Sequence, residues 1–415
     1  MNYFLLIALL ILFGLICFKN FKLGLALFIF LLPAYIIRFQ FGGIPSTVLE
    51  LCFFVLFLIW LAKRPNLAPL KKISWLAPMG LFLLAATINI FISPDKLASL
   101  GIWKAYFIEP ILFFLILTTT LKSKKDWVYV LNALILSGLA IALFAIVQKF
   151  TGLVIPDAWQ EERRVTSIFG YPNAVGLYLA PIMIICFGFI IKAIQSKKIL
   201  PIIFYLLSFL IFSLAVFWSK TEAAWIAILA AIFIFCLFKK NLRYLAIGLL
   251  ILLILIIALV PALREPALEK ILLQDWSGQV RLTTWGESWN MLKANPIFGA
   301  GLSGYPLAMT AFHKADYLEI FQYPHNFILN FWAEIGLLGL AAWLWLMAKA
   351  GITGLKNIKK QFFLSALLIS FLAVILIHGL VDVPYFKNDL SMMFWIFMAL
   401  AFYLENNKSQ ITNHK

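Results

Sequence analysis

Apolar runs long enough to cross a bilayer follow one another along almost the whole chain. In windows of about 19 residues they predict thirteen helices, separated by short polar connections. The runs cover approximately residues 3–18, 22–37, 47–62, 74–92, 101–120, 128–149, 172–191, 199–217, 222–238, 243–260, 326–348, 361–380 and 390–404. This pattern predicts an all-α polytopic membrane protein with about 12–13 transmembrane helices, in which residues 1–415 form a single integral membrane domain.

Composition supports a membrane protein, and the positions of the charges predict its orientation. Of 415 residues, 64% are hydrophobic and 13% are charged, whereas a soluble domain carries about 25% charged residues. Alternate connections are basic, and such connections stay in the cytoplasm. They contain Lys19/Lys22, Lys63/Arg64/Lys71/Lys72, Lys122/Lys124/Lys125, Lys192/Lys197/Lys198, Lys239/Lys240/Arg243 and Lys356/Lys359/Lys360. We therefore expect the N-terminus outside and the tail "ENNKSQITNHK" inside. The basic cytoplasmic connections explain most of the net charge of +16, which therefore does not indicate nucleic-acid binding.

The N-terminal run and the cysteines argue against a signal peptide, a disulfide and a metal site. Residues 1–18 lack a basic n-region and an A-x-A cleavage site, so we expect a retained span and not a signal peptide. The four cysteines are Cys17, Cys52, Cys186 and Cys236, all within or at the ends of predicted spans. Because no C-x-x-C or paired His/Cys spacing occurs, we expect no disulfide, no metal site and no cofactor.

Two stretches bring cations to the side opposite the basic connections. In "RRVTSIFGYPNAVGLYLAP", residues 163–181, Arg163 and Arg164 precede a turn that leads back into the membrane. In "WSKTEAAW", residues 218–225, Lys220 and Glu222 lie in a tight connection between two spans. Snorkelling of the arginines at a helix end and a surface ion pair at Lys220 are the alternative interpretations.

The longest connection, residues 261–325, is predicted to be an extracytoplasmic loop that contains amphipathic helices and contributes to the active site. Leu282, Trp285, Trp289 and Leu292 share one helical face, which we expect on the membrane surface, with Arg281 near its start and Pro296 after its end. Residues 299–304 fit G-x-G-x-x-G, but no βαβ unit surrounds them, so we predict a Gly-rich turn and not a nucleotide site.

Two later stretches add ionisable groups. In "YPHNFILNFWAEIGLLG", residues 323–339, His325 is predicted at the outer membrane edge, and Glu334 lies ~13–14 Å deeper by helical rise. Glu334 is expected to pair inside the bundle, where Gly residues allow close approach. In "HGLVDVPYFKNDL", His378 and Asp382 are spaced i, i+4 at a helix end, which a simple cap would also explain, and Asp389 begins the last span.

Together these stretches resemble the O-antigen ligase family, which includes polysaccharide polymerases and protein O-oligosaccharyltransferases of bacterial envelopes. "HNFILNFWAEIGLLG" fits its H-N-x-x-L-x-x-x-x-E-x-G-x-x-G signature, and "RVTSIFGYPN" fits its R-x-x-S/G-x-F-G-N-P-N motif. "RLTTWGESWNMLKANPIFGAGLSGY" fits its R-x-x-x-W…P-x-x-G-x-G segment. The resemblance is strongest from about 160 to 390, and it departs at Tyr171, where Asn is usual, and at Lys220 and Thr221, where the family tends to Ser-Arg-Gly.

The resemblance implies a metal-independent, inverting glycosyltransferase of the bacterial cytoplasmic membrane, acting in lipopolysaccharide or other envelope polysaccharide synthesis. Its donor would be a glycan on undecaprenyl diphosphate, and its acceptor a hydroxyl of a lipid-linked core sugar, a growing polysaccharide or a protein, on the extracytoplasmic face. No nucleic acid takes part. We expect His325 to be catalytic, as general base or as the group that orients the acceptor hydroxyl, and cations of the protein to bind the diphosphate. These cations are Arg164 and Arg281, with Arg163 and Lys220 as further candidates, while Glu334, His378, Asp382 and Asp389 would support them.

Other functions remain open at this stage. Ligase, chain-extending polymerase and protein-directed transferase need the same diphosphate site and differ only in the acceptor. A transporter of lipid-linked glycans would call for ionisable residues along a path through the membrane and for repeated, broken helices, and the sequence shows neither pattern. A membrane scaffold without catalysis is a third alternative.

Overall fold

The computed structural model describes residues 3–41, 44–67 and 74–412. Lys71 and Lys72 of the predicted cytoplasmic connections, and the last three residues of the tail, lie outside these ranges. The described chain is almost entirely helical, which confirms the predicted all-α class. The exception is a short antiparallel hairpin in which Arg38 pairs with Thr47.

Eighteen α-helices and two strands are present among the described residues. The first half contains α1 Tyr3–Lys19, α2 Phe21–Phe30, β1 Arg38–Phe41, β2 Ile44–Thr47, α3 Val48–Ala62, α4 Leu76–Ile92, α5 Lys96–Trp103, α6 Glu109–Thr120, α7 Lys124–Thr151, α8 Asp157–Gln160 and α9 Asn173–Gln195. The second half contains α10 Ile199–Trp218, α11 Glu222–Leu237, α12 Lys240–Leu259, α13 Pro261–Ile271, α14 Trp276–Ala294, α15 Tyr305–Met309, α16 Phe327–Asn357, α17 Phe362–Gly379 and α18 Asn388–Thr412. A 3₁₀ turn, Leu32–Ile36, follows α2, and a π-helical segment, Lys104–Ile108, joins α5 to α6.

Every predicted apolar run coincides with a helix. Seven helical spans in the described part of the chain are long and apolar enough to cross a membrane. They are Lys96–Thr120, Lys124–Thr151, Asn173–Gln195, Ile199–Trp218, Lys240–Leu259, Phe327–Asn357 and Phe362–Gly379. Five shorter apolar helices and α18 account for the remaining runs, so the figure of 12–13 spans stays a prediction.

Polar contacts join connections that the charge pattern assigns to the same side. At the basic end, Lys22 forms an ion pair with Asp126, and Lys349 donates to Ser74 at 2.7 Å. The opposite end, which we call the loop end, is formed by residues 152–172, 219–221, 260–326 and 380–387. Contacts between these loop-end segments build the candidate site described below.

Helix α16 is broken at Gly336, and a loop segment repairs the break. Gly336 has φ 69° and ψ −179°, which interrupts the helical hydrogen bonds. The amide of Leu337 instead donates to the carbonyl of Ile297 at 3.0 Å, and the amide of Ala300 donates to the carbonyl of Ala333 at 2.8 Å. Because backbone polar groups inside a membrane protein must be paired, this exchange is what allows the break to exist.

Glycines let the loop and the broken helix approach backbone to backbone. A Cβ atom at Gly299 would lie 2.3 Å from the carbonyl oxygen of Trp332, and one at Gly301 would lie 2.5 Å from the amide nitrogen of Ser93. The Gly-rich segment joins α14 to α15, as predicted for a turn. Its G-x-G pattern therefore serves close packing against α16 and the end of α4.

Glu334 anchors the same junction from within α16. The carboxylate is fully buried, and its Oε2 accepts a hydrogen bond from the amide of Ser303 at 2.7 Å. This contact pulls the Gly-rich loop onto the helix just before the break.

Helix α14 places its small polar side chains inward. Thr284, Ser288 and Met291 are buried, and the Ser288 hydroxyl lies 2.7 Å from that of Tyr305 on α15. On the face predicted to lie on the membrane, Leu282 and Trp289 are exposed, but Leu292 is fully buried. The predicted face thus turns into the protein at its C-terminal end, because α14 packs there against the broken part of α16.

We predict that Gly336→Ala destabilises the protein. A side chain at φ 69° costs about 1–2 kcal/mol, and the added Cβ would lie 2.4 Å from the Ile297 carbonyl oxygen. The unfolding temperature of the purified protein in detergent measures the effect. The matched control is Gly351→Ala in the same helix, where the nearest side-chain atom is 3.8 Å from the new Cβ, so its unfolding temperature should be unchanged or higher. Equal unfolding temperatures for the two variants would contradict this account of the break.

Candidate active site

The short connection between α17 and α18 is the point where the loop-end segments meet. Its carbonyls accept hydrogen bonds from two distant parts of the chain. The side-chain amide of Asn326 donates to Leu380 at 2.9 Å, and Nε of Arg281 donates to Val381 at 3.2 Å. The next residue is Asp382, which is 5% exposed. Leu380 therefore binds the start of α16, Val381 binds helix α14, and the next residue carries the carboxylate of the candidate site.

The Asp382 carboxylate joins two further segments. Its Oδ1 lies 3.6 Å from Nδ1 of His325, and its Oδ2 accepts a hydrogen bond from the side-chain amide of Asn173 at 3.1 Å. The amide of Val383 donates to Oδ1 at 2.8 Å. A buried carboxylate with these donors is held firmly in one orientation.

The surroundings of Asp382 keep it ionised. Burial by itself would raise the pKa of its carboxyl, but the nearby imidazoles of His325 and His378 and the hydrogen bond from the Val383 amide together lower that pKa to about 2. The folded-state pKa lies below the usual Asp value, so the carboxylate contributes stability above that usual value, and this contribution is lost only as pH falls toward 2. At neutral pH it is therefore a fixed negative charge beside the imidazole.

His325 presents one ring nitrogen to Asp382 and leaves the other free. Its side chain is 31% exposed, and within the described residues Nε2 has no hydrogen-bond partner. A proton on Nδ1 directed at the carboxylate leaves the Nε2 lone pair as the acceptor, a tautomer that we assign from this contact. The backbone of His325 has φ 49°, an uncommon conformation for a residue other than Gly. Such strain is characteristic of functional positions.

The neighbouring Asn326 explains why this conformation is held. Its side-chain oxygen accepts from the amides of Ile328 and Leu329, which caps the start of α16. Its amide group binds the Leu380 carbonyl. His325 and Asn326 therefore place the imidazole of the candidate site directly before the residue that caps α16.

Arg164 reaches the site through Asn173. Its Nη2 donates to the side-chain oxygen of Asn173 at 3.5 Å, and its Nε donates to the carbonyl of Ser219 at 3.0 Å. The guanidinium lies 4.7 Å from the ring centroid of Trp159. Burial lowers the pKa of this guanidinium, while Glu162 and Glu222 oppose the shift. An arginine remains charged under such a shift, so Arg164 supplies a half-buried positive charge.

Arg281 supplies a second guanidinium from α14. Besides the bond to Val381, its Nη1 donates to the carbonyl and the hydroxyl of Ser277, one turn earlier in the helix. Its Nη2 makes no hydrogen bond to the described residues, so part of the fork is available to an anion.

Two predicted cations are not drawn into this cluster. Lys220 forms an ion pair with Glu162 at 2.7 Å, and both side chains are more than half exposed. Arg163 is exposed, and its side chain makes no hydrogen bond or ion pair within the described ranges. Glu222, in the same connection as Lys220, pairs with Lys270 of α13. The surface-ion-pair interpretation of this connection thus matches the contacts observed.

The four predicted supporting residues take different places. Asp382 contacts His325 directly, and the fully buried His378 lies close enough for its charge to act on Asp382. Helix α17 ends at Gly379, so Asp382 lies beyond the helix, and its i, i+4 spacing from His378 does not fall within one helix. Glu334 belongs to the junction with Ser303, and Asp389 forms an ion pair with Lys387 at 3.4 Å.

Sequence reasoning missed the residues that bridge the site. Asn173 connects Arg164 to Asp382, Asn326 connects His325 to Leu380, and Trp159 covers Arg164. Both asparagines stand inside the quoted motifs, directly after Pro172 or His325, so their place in the motif was a usable signal. Nothing in the local sequence around Trp159 indicated its contact.

The chemistry of this cluster combines anion binding with proton transfer. Arg281 and His325 contact the connection between α17 and α18, and Arg164 is linked to the Asp382 carboxylate of that connection through Asn173. Among the residues that the structure describes, no three His, Cys, Asp or Glu side chains cluster as a metal ion would require. The four cysteines are buried and unpaired.

Comparison with known proteins concerns the second half of the chain. No curated protein matches the chain by sequence. The family model described as O-antigen ligase matches residues 207–344, a range that contains Lys220, Arg281, His325 and Glu334. This part of the chain is therefore similar to the O-antigen ligase family, and its apolar helices are those of a polytopic membrane protein.

Proposed function

We propose that the protein transfers a glycan from undecaprenyl diphosphate to an acceptor hydroxyl, with inversion at the anomeric carbon. The observation that carries this proposal is the contact of Asp382 with His325, in a connection that also binds Arg281 and, through Asn173, Arg164. These contacts support a site formed by two permanent cations and one open imidazole nitrogen.

Arg164 and Arg281 suit the diphosphate of such a donor. A guanidinium offers two parallel N–H donors that match phosphate oxygens, and it stays charged at any physiological pH. Fixed cations stabilise the negative charge that grows on the leaving diphosphate as the glycosidic bond breaks. We propose Arg163 and Lys220 only as outer cations, since neither is bonded to the cluster in its present arrangement.

His325 suits the acceptor hydroxyl. In one step, Nε2 takes the hydroxyl proton while the hydroxyl oxygen bonds to the anomeric carbon and the bond from that carbon to the diphosphate oxygen breaks. The electron pair leaves with undecaprenyl diphosphate, and attack from the opposite face inverts the anomeric configuration. Asp382 stabilises the imidazolium that forms, as carboxylates do behind catalytic histidines.

Charge asymmetry supports an extracytoplasmic site. The loop end is opposite the connections that are rich in Lys and Arg, and such connections stay in the cytoplasm. We therefore propose that residues 261–325 form an extracytoplasmic loop of a single membrane domain in the bacterial cytoplasmic membrane. The acceptor would be a lipid-linked core sugar, a growing polysaccharide or a protein.

The first prediction concerns His325. We expect His325→Asn to lower transfer at least 100-fold, the scale of a general base, and Asp382→Asn to lower it at least tenfold, because the amide no longer orients the ring. Transfer of glycan from undecaprenyl diphosphate by the purified protein is the measurement, with the unfolding temperature as a check of folding. Native turnover in a folded His325→Asn protein would remove this residue from the reaction.

The second prediction separates charge from geometry at the arginines. Arg164→Lys and Arg281→Lys keep the charge but lose the fork, so we expect at least a tenfold loss of kcat/KM for the donor. Arg264→Lys is the matched control, because Arg264 lies in the same long connection, is exposed and pairs only with its neighbour Glu265. If all three variants retain native kcat/KM, the proposed diphosphate contact is wrong.

A further inference from the structure

One aromatic residue beside the candidate site is exposed. Tyr171 precedes Pro172 and the bridging Asn173, and 42% of its surface is exposed. Phe169, two residues earlier, is 4% exposed. Of these two aromatic residues, Tyr171 is therefore the one that a ligand can reach.

Tyr171 lies beside the candidate site. Two residues later, Asn173 contacts both Asp382 and Arg164. Asp382 is the residue that contacts His325, and the turn itself carries Arg164 at its start. A ligand that contacts Arg164 and His325 would therefore lie next to this turn.

The buried ammonium of Lys387 lies close to the ring of Tyr171 and to two further aromatic rings. Nζ of Lys387 lies 4.2 Å from the ring centroid of Phe169, 5.5 Å from that of Tyr35 and 6.0 Å from that of Tyr171. Cations within about 6 Å of a ring centroid are attracted by the ring face. Nζ is buried without a hydrogen-bond partner in the described structure, and its one ion pair is with Asp389 at 3.4 Å.

Stability does not explain the buried ion pair between Lys387 and Asp389. A buried ion pair with unsatisfied donors contributes little to stability. Here it fixes three rings from two segments, of which Tyr35 and Phe169 are buried and only Tyr171 offers a free face. Tyr171 is also the position where the chain departs from the resembled family motif.

We propose that Tyr171 determines specificity by stacking on the sugar ring that carries the anomeric carbon of the donor, with Lys387 as a positioning residue behind it. This inference rests on the proposed function. The C–H-bearing face of a pyranose is apolar and packs on an aromatic face, whereas its hydroxyls remain in water. A ring two residues from Asn173, which links Arg164 to Asp382, is in the right place for the first sugar and not for distant ones.

The test compares two lipids that differ only in the sugar. One is undecaprenyl diphosphate, and the other is undecaprenyl diphosphate bearing a single N-acetylglucosamine. Their affinities for the purified protein are measured in detergent, and the ratio isolates the contribution of the pyranose. We expect Tyr171→Ala to reduce this ratio about tenfold, the order found for rings stacked on aromatic side chains, with the affinity for bare undecaprenyl diphosphate unchanged. Tyr171→Phe, the matched control, keeps the ring and should keep the ratio.

Lys387 is tested by the paired variant Lys387→Met with Asp389→Asn, which removes both buried charges at once. We expect a smaller fall in the ratio than for Tyr171→Ala, and the combination of all three changes should lower the ratio no more than Tyr171→Ala alone, because Lys387 acts through the ring. Additive effects of the two changes would overturn its role behind Tyr171.

Other outcomes show whether the stacking inference alone or also the proposed function is wrong. If the native protein binds both lipids equally, or if Tyr171→Ala weakens both equally, the stacking inference is wrong while the diphosphate site stands. If the native protein binds neither lipid, the proposed function fails and the inference fails with it.

Discussion

The contact between the Asp382 carboxylate and His325 is the interaction on which the rest of the site depends. Asp382 is almost fully buried, and it remains ionised because its donors outweigh the cost of burial. One carboxylate thereby fixes the imidazole, and through Asn173 it also sets the distance to Arg164. Removing it would leave three loop-end segments without their common partner, although each helix would still form.

The broken helix α16 is the second constraint, because it connects the two sides of the site. The start of α16 carries His325 and Asn326, while the loop that repairs its break at Gly336 follows directly from α14, which carries Arg281. The hydrogen bond from the Leu337 amide to the Ile297 carbonyl therefore couples the position of the Arg281 guanidinium to that of the His325 imidazole. The glycines of the loop are required for this approach, which gives the G-x-G pattern a structural explanation.

Much of this architecture could be predicted from sequence, because long apolar runs and basic connections are strong local signals. The motifs also indicated Arg164, Arg281 and His325, since their spacing matches a known pattern of residues. Partners across the fold could not be predicted. The i, i+4 spacing of His378 and Asp382 suggested a helix end that a simple cap would explain, but α17 ends at Gly379 and the carboxylate lies beside His325, which no local pattern indicated. In the same way, the choice of Glu162 as partner of Lys220 depends on tertiary packing that no local pattern encodes.

The most direct measurement is an experimental structure of the protein with undecaprenyl diphosphate bound in a lipid nanodisc. The account predicts the diphosphate at the loop end, with oxygens within hydrogen-bond distance of the guanidinium groups of Arg164 and Arg281, and with Nε2 of His325 facing the terminal phosphate while Nδ1 stays on Asp382. A diphosphate bound elsewhere, or an imidazole turned away from it with the contact to Asp382 broken, would contradict the central claim.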